Sequence, residues 1–225
     1  MAARSRASAV AAVIFDLDGV LVDSESAWGE IRERFTKREG GSWRREAVRE
    51  MQGMSSTEWS RYMRDRLEVP LAPEDISSRV ADEVAGLYRE RLPLLPGAIQ
   101  AVRSLAARWP LAVASSANRG LIDLVVELAG LEDSFRATVS SEEVGRGKPA
   151  PDVYLEAARR LGVDPAECVA VEDSTNGIRS AHEAGMAVIA IPNRDFPPDD
   201  QALELADRVL DSLAELTPDG VYELW

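Results

Sequence analysis

The chain has 225 residues, 45% apolar and 29% charged; this ordinary globular composition excludes disordered, collagenous and fibrous classes and allows one large domain, or one domain with a smaller one inserted. Its formal charge of −13, from 26 basic and 39 acidic residues, argues against nucleic acid and anionic membranes as partners, yet suits a divalent cation. One cysteine, Cys168, and one histidine, His182, preclude an internal disulfide and argue against histidine-built zinc sites, Ser-His-Asp triads and Cys-His dyads.

Arg4 and Arg6 precede an uncharged run over 7–15 and resemble the charged end of a signal peptide. The run is far short of the ~20 residues a membrane span needs. It reads better as a buried first strand ending at Asp16, in a cytoplasmic protein. Ala12-Val13-Ile14-Phe15 is short, apolar and partly β-branched, with polar residues directly after it, the pattern of a buried parallel strand.

Residues 24–92 then read as all helix. Trp28, Ile31 and Phe35 share one face of a helix that ends at Gly40-Gly41. Ser55-Ser56-Thr57-Glu58 forms a capping box ahead of Trp59, Met63 and Leu67. Ile76, Val80, Val84, Leu87 and Tyr88 mark a longer helix. This insert carries a net charge of −1, from 13 basic and 14 acidic residues, which leaves −12 on the rest. Asp23 and Ser24 fall at the hinge into it.

Beyond the insert, strand and helix alternate. Strands are expected at Leu111–Ala114, more weakly at Ala137–Val139, then at Cys168–Val171 and Ala187–Ile191. Helices are expected over 98–108, 120–129, 152–161 and 175–184; Pro151 opens the third, and Gly130, Gly162 and Gly185 close the last three. The alternation predicts an α/β fold with a parallel sheet covered on both faces.

In such sheets, ligands bind beyond the carboxyl ends of the strands. There the sequence places Asp16-Leu17-Asp18-Gly19, Ser115-Ser116, Lys148-Pro149 and Glu172-Asp173-Ser174. Four carboxylates gathered at one edge repel one another unless a cation sits among them. An all-oxygen set without histidine or thiol favours a hard ion, Mg²⁺ above others, with Asp16 and Asp173 as the evident ligands. Lys148 supplies a movable ammonium suited to phosphate, and Pro149 biases it toward extended backbone. It is one of only two lysines, with Lys37, in a chain of 24 arginines. With cation and ammonium offsetting charge, Asp16 can attack a phosphoryl group and form an aspartyl-phosphate. Asp18, two residues on, can protonate the departing alcohol and then deprotonate water. Gly19 permits the tight turn behind the pair, and Ser115 can donate to the phosphoryl group.

Glu172 is either a ligand or a supporting group, Ser174 reads as a helix N-cap, and Ser116 as a hydroxyl satisfying a backbone amide. Gln52, Ser56 and Asn118 are candidates for substrate contact at the rim. Gly145-Arg146-Gly147-Lys148 is not a P-loop, because Glu142 and Pro149 stand where glycine and Ser or Thr are required. His182 and Cys168 read as structural, and the Trp and Met residues of the insert as core.

The set Asp16-Leu17-Asp18-Gly19-Val20, Ser115, Lys148-Pro149 and Glu172-Asp173-Ser174 resembles the four motifs of the haloacid dehalogenase superfamily. Within it, Gly147-Lys148-Pro149-Ala150-Pro151-Asp152 and Val171-Glu172-Asp173-Ser174 with Gly177 resemble the β-phosphoglucomutase-like phosphatases. The resemblance spans essentially the whole chain. It implies a Rossmann-like core over 1–23 and 93–225 with a helical cap over 24–92. It also implies an Mg²⁺-dependent phosphatase of a small phosphorylated metabolite such as a sugar phosphate, with the Asp18 main-chain carbonyl as a further metal ligand. The presence of Asp18 disfavours dehalogenation. The mutase cap pattern Lys-Gly-x-x-Arg corresponds here to Gln52-Gly53-Met54-Ser55-Ser56, without either cation, which favours hydrolysis over phosphosugar mutase activity; Arg49 or Arg61 lie near enough to substitute. A signalling receiver also uses an Mg²⁺-bound aspartate, a hydroxyl and a lysine on a parallel sheet. It lacks a helical insert after the first strand.

Overall fold

The structure, a computed structural model, describes residues 9–51, 54–194 and 196–225; Arg4, Arg6, Gln52 and Gly53 lie outside the described residues. The first apolar run forms β1 (Ala12–Phe15). Four helices follow: α1 (Glu25–Arg38), α2 (Ala47–Glu50), α3 (Ser56–Arg66) and α4 (Pro73–Glu90). The alternating part comprises α5 (Ala98–Ala106), β2 (Leu111–Ser115), α6 (Arg119–Leu128), β3 (Phe135–Ser140), α7 (Asp152–Leu161), β4 (Cys168–Glu172), α8 (Thr175–Glu183) and β5 (Ala187–Ala190). Last come α9 (Asp200–Leu203), β6 (Arg208–Val209) and α10 (Pro218–Tyr222).

The six strands form one parallel sheet in the order β3-β2-β1-β4-β5-β6. β1, β2, β4 and β5 are fully buried, largely apolar runs because helices cover both faces, and period two sorts their side chains. Val13, Phe15, Val113 and Val171 join the core beneath α5, α6 and the insert. Ala12, Ile14, Ala114 and Ala170 face α7 and α8, where Val153, Tyr154, Ile178 and Ala181 close the second core. The strand order reverses between β1 and β4, and the ligand crevice of such a sheet opens at that point.

The sequence punctuation holds. Ser55 caps α3 with the expected capping box to Glu58, and Gly162 closes α7 in the left-handed region at φ 73°. Three features differ from expectation. The weak strand at Ala137–Val139 lengthens to Phe135–Ser140, because β2 offers it a paired edge. β6 carries no apolar run and forms by pairing with β5. Leu87 is 40% exposed, because the buried stripe of α4 runs through Ile76, Val80, Val84 and Tyr88, one residue further on. The insert's apolar interior, including Phe35, Met63 and Leu67, is continuous with the core on its side of the sheet. No helix among the described residues is long and apolar enough to cross a membrane.

Candidate active site

Register creates the site. Phe15 pairs with Val171, so Asp16, one residue beyond β1, lies beside Glu172 at the end of β4. The Asp16 N–H donates to the Val171 carbonyl at 2.9 Å and completes the ladder. Gly19 turns the chain back at φ +79°, its N–H donating to the Val22 carbonyl at 2.8 Å. A Cβ on Gly19 would lie 2.0 Å from Asp173 Oδ2, so the position needs glycine for space as well as for its dihedral angle.

Glu172 is fully buried, and both its oxygens are engaged. Oε1 accepts from Lys148 Nζ at 2.6 Å and from the Tyr154 hydroxyl at 2.8 Å. Oε2 accepts from the Asp173 and Ser174 amides and the Ser174 hydroxyl. Ser174 also caps α8 by accepting from the Gly177 N–H, as its sequence position suggests.

Lys148 is 5% exposed and bonds Asp16 Oδ1 at 2.8 Å as well as Glu172. Its ammonium stands 5.0 Å from the centre of the Tyr154 ring. The expectation of a movable ammonium is therefore corrected: two carboxylates and an aromatic face pin it. The Lys148–Pro149 peptide is cis.

The hydroxyl pair also departs from expectation. Ser115, fully buried, accepts the Ala117 backbone N–H at 3.0 Å, the role expected of Ser116. Ser116 Oγ is buried, has no hydrogen-bond partner among the described residues, and its residue lines the cavity. Ser115 keeps its own proton to donate, since it serves Ala117 only as acceptor.

Ser56 and Asn118 are not brought to that cavity. The Ser56 hydroxyl donates to Glu142 Oε1 at 2.7 Å, and Asn118 Nδ2 donates to the same atom at 2.7 Å and to Ser77 Oγ at 3.1 Å. These bonds join α3 and α4 of the insert to the loops at the sheet edge.

The cavity, of about 60 Å³, has Asp16, Asp18, Ser116, Lys148 and Asp173 on the sheet side. On the insert side stand Trp28, Arg32 and Trp59. Sequence reasoning placed the tryptophans in the core and passed over Arg32. The signal was a cation four residues after Trp28, beside the buried stripe of α1. It also passed over Tyr154 on α7, whose hydroxyl reaches Glu172.

The electrostatics follow from burial. Burial pushes the Asp16 carboxyl up to about 7, although Lys148 pulls it back; Glu172 and Asp18 push it further. Burial also raises Asp18, with the Ser24 hydroxyl and the Trp28 indole opposing. For Lys148, burial works against the charge, but Asp16 and Glu172 outweigh it and hold the ammonium above its ordinary pKa. Burial pushes the Cys168 thiol up to about 12, so it is inert.

Asp16, Glu172 and Asp173 each present an oxygen within 4.8 Å of the others. Three buried carboxylates against one ammonium form an all-oxygen donor set that fits a hard divalent cation. The Asp18 carboxylate stands outside this cluster among the described residues.

A sequence model of the haloacid dehalogenase-like hydrolases matches residues 10–185. The chain belongs to that family. The hydrolase is 36% identical over 214 residues to hexitol phosphatase B of Escherichia coli (strain K12), across 92% of this chain and 95% of that protein. It is 31% identical over 206 residues to the bifunctional riboflavin kinase/FMN phosphatase of Arabidopsis thaliana; the match takes in 91% of the hydrolase but only 54% of that longer protein. Its structure matches that of CbbY from Rhodobacter sphaeroides in complex with phosphate with a TM-score of 0.85 and 30% identity, over 94% of this chain and 99% of that one. The hydrolase is thus a phosphoric monoester hydrolase of the haloacid dehalogenase type. The family assignment excludes the signalling-receiver reading.

Proposed function

We propose that the hydrolase is an Mg²⁺-dependent phosphatase of a small phosphorylated metabolite, a sugar or polyol phosphate, working through an aspartyl-phosphate on Asp16. The observation that carries this reading is the placement of Asp16: Oδ1 lies 2.8 Å from the Lys148 ammonium, inside the cluster with Glu172 and Asp173. Asp16, Glu172 and Asp173, with the Asp18 main-chain carbonyl, would hold the cation. When bound, it offsets the repulsion between carboxylate and phosphoryl oxygens.

Asp16 attacks phosphorus, and the bond from phosphorus to the ester oxygen breaks. Asp18 gives its proton to that oxygen; burial, which raises its pKa, suits it to carrying one. Asp18 then takes a proton from the water that attacks phosphorus. Inorganic phosphate leaves, and the Asp16 carboxylate returns. Lys148 holds Asp16 in place and balances charge on the phosphoryl oxygens. Ser115 and Ser116 supply hydroxyl donors at the same strand end. Residues 24–92 act as a cap on a core of 1–23 and 93–225, a division supported by the cavity walls coming from both.

The test is phosphate release from a panel of sugar, polyol and short-chain phosphomonoesters. Wild type releases phosphate only with the divalent ion present, and Asp16→Asn lowers kcat by about a thousandfold or more. Equal turnover by the variant, or turnover undiminished in excess chelator, refutes the reading. Glucose 1-phosphate with a bisphosphate primer separates the mutase: isomer formed without free phosphate identifies it.

A further inference from the structure

We propose that Tyr154 is a positioning residue for phosphoryl transfer: its hydroxyl occupies Glu172 Oε1 and so keeps the Lys148 ammonium shared between Glu172 and Asp16. This deepens the phosphatase reading and rests on it. None of the steps above uses Tyr154.

Tyr154 stands in the first turn of α7 and is fully buried in the second core, with Val153, Ala157 and Ala158. Its hydroxyl donates to Glu172 Oε1 at 2.8 Å. The Lys148 ammonium donates to that same atom at 2.6 Å and to Asp16 Oδ1 at 2.8 Å. The ammonium also stands 5.0 Å from the centre of the Tyr154 ring. One side chain thus touches both the cation and the anion that hold the nucleophile in place.

A carboxylate oxygen offers about two acceptor sites, and both of those on Oε1 are taken. Oε2 is anchored by the Asp173 and Ser174 amides and the Ser174 hydroxyl, so Glu172 is held in one orientation. An ammonium carries three N–H donors. One goes to Glu172, one to Asp16, and one is left for an oxygen of the phosphoryl group. The Tyr154 hydroxyl maintains that division. Without it, Lys148 is the sole donor to Oε1, and a buried anion with one counterion draws that ion closer. The ammonium then moves away from Asp16. Charge on the nucleophile and the phosphoryl oxygens is balanced less well during transfer, while the rest of the cavity still binds substrate. The loss falls on kcat rather than on KM.

The experiment reads the ammonium directly. Lys37 and Lys148 are the only lysines, so ¹⁵N-lysine labelling gives two side-chain resonances. Lys37→Arg, at an exposed ion pair with Glu33, tells them apart. In metal-free Tyr154→Phe, which keeps the ring beside the ammonium, the Lys148 resonance moves and the Lys37 resonance stays. With Mg²⁺, kcat of that variant falls about ten- to a hundredfold, with KM changed by less than about twofold. Ala158→Gly, four residues further along α7, is the control for loosening of the helix. It lowers the melting temperature but leaves kcat and the Lys148 resonance at their wild-type values. If circular dichroism shows Tyr154→Phe unfolded, wild type grown on 3-fluorotyrosine replaces it: the more acidic phenol donates more strongly to Glu172 and moves the Lys148 resonance. An unmoved Lys148 resonance, a kcat within about twofold of wild type, a loss carried by KM, or an equal loss in Ala158→Gly overturns the proposal. The resonance is read without metal or substrate, so its outcome is separate from that of the phosphatase reading, which phosphate release by wild type tests.

Discussion

Tyr154 shows how one buried hydroxyl can govern a charged centre. Its O–H donates to Glu172 Oε1 while its ring underlies Lys148. Burial, then Glu172, holds its phenol well above the usual pKa, so it remains a donor. Tyr154→Phe leaves that oxygen with Lys148 alone and is expected to cost about 1–3 kcal/mol in denaturant unfolding. Lys148→Met is expected to cost more, about 3–5 kcal/mol, because Asp16 and Glu172 lose their common counterion. If the two variants unfolded at the same midpoint, the ammonium would not be the keystone described. Gly177 tests packing in the same place. A Cβ there would fall 1.9 Å from the Glu172 carboxyl group, so Gly177→Ala must displace that side chain. The expected result is a loss of about 1–3 kcal/mol and weaker divalent-ion binding by calorimetry.

The insert is fastened as an element. Glu142 takes hydrogen bonds from Ser56 at the start of α3, from Asn118, and from the Arg119 amide at the start of α6; Asn118 also reaches Ser77 on α4. One exposed carboxylate thus joins insert and sheet edge. Glu142→Ala is expected to cost only about 1 kcal/mol globally, since water competes for these groups. It should speed amide exchange in α3 while leaving β1 and β4 protected. Unchanged exchange in α3 would mean that apolar packing alone holds the insert. The two residues at the centre of this link, Ser56 and Asn118, looked from the sequence like substrate contacts. Their polarity and rim position were legible, but their partner was not: Glu142 is 86 residues from Ser56.

At the scale of the molecule, stability is linked to pH through the site. Asp16 has a folded pKa of about 7 against an ordinary value of 3.8. Between those values the folded chain binds more protons than the unfolded one, so metal-free stability falls as pH rises through that window. In chelator, the melting temperature should drop across it, and Asp16→Asn should lack that component. A cation binding the ionised cluster reverses the trend. A fixed concentration of Mg²⁺, a hundred times its dissociation constant at pH 7, should add about 2.7 kcal/mol there and less near pH 5. A gain independent of pH would separate Asp16 from the proposed metal site. Local spacing determined much of this protein. Apolar runs marked five of the strands, and the residues after three of those runs, with Lys148 ahead of α7, put acids, hydroxyls and a lysine at one sheet edge, because a parallel sheet brings all its strand ends to the same side. Register, helix packing and pleat are tertiary properties, and they decided the rest. They gave Ala117's amide to Ser115 rather than Ser116, clamped Arg32 between tryptophans of two helices, and made β6 from a segment with no pattern of its own. In each case the deciding contact joins atoms whose meeting depends on the folded backbone, which periodicity along the chain does not encode.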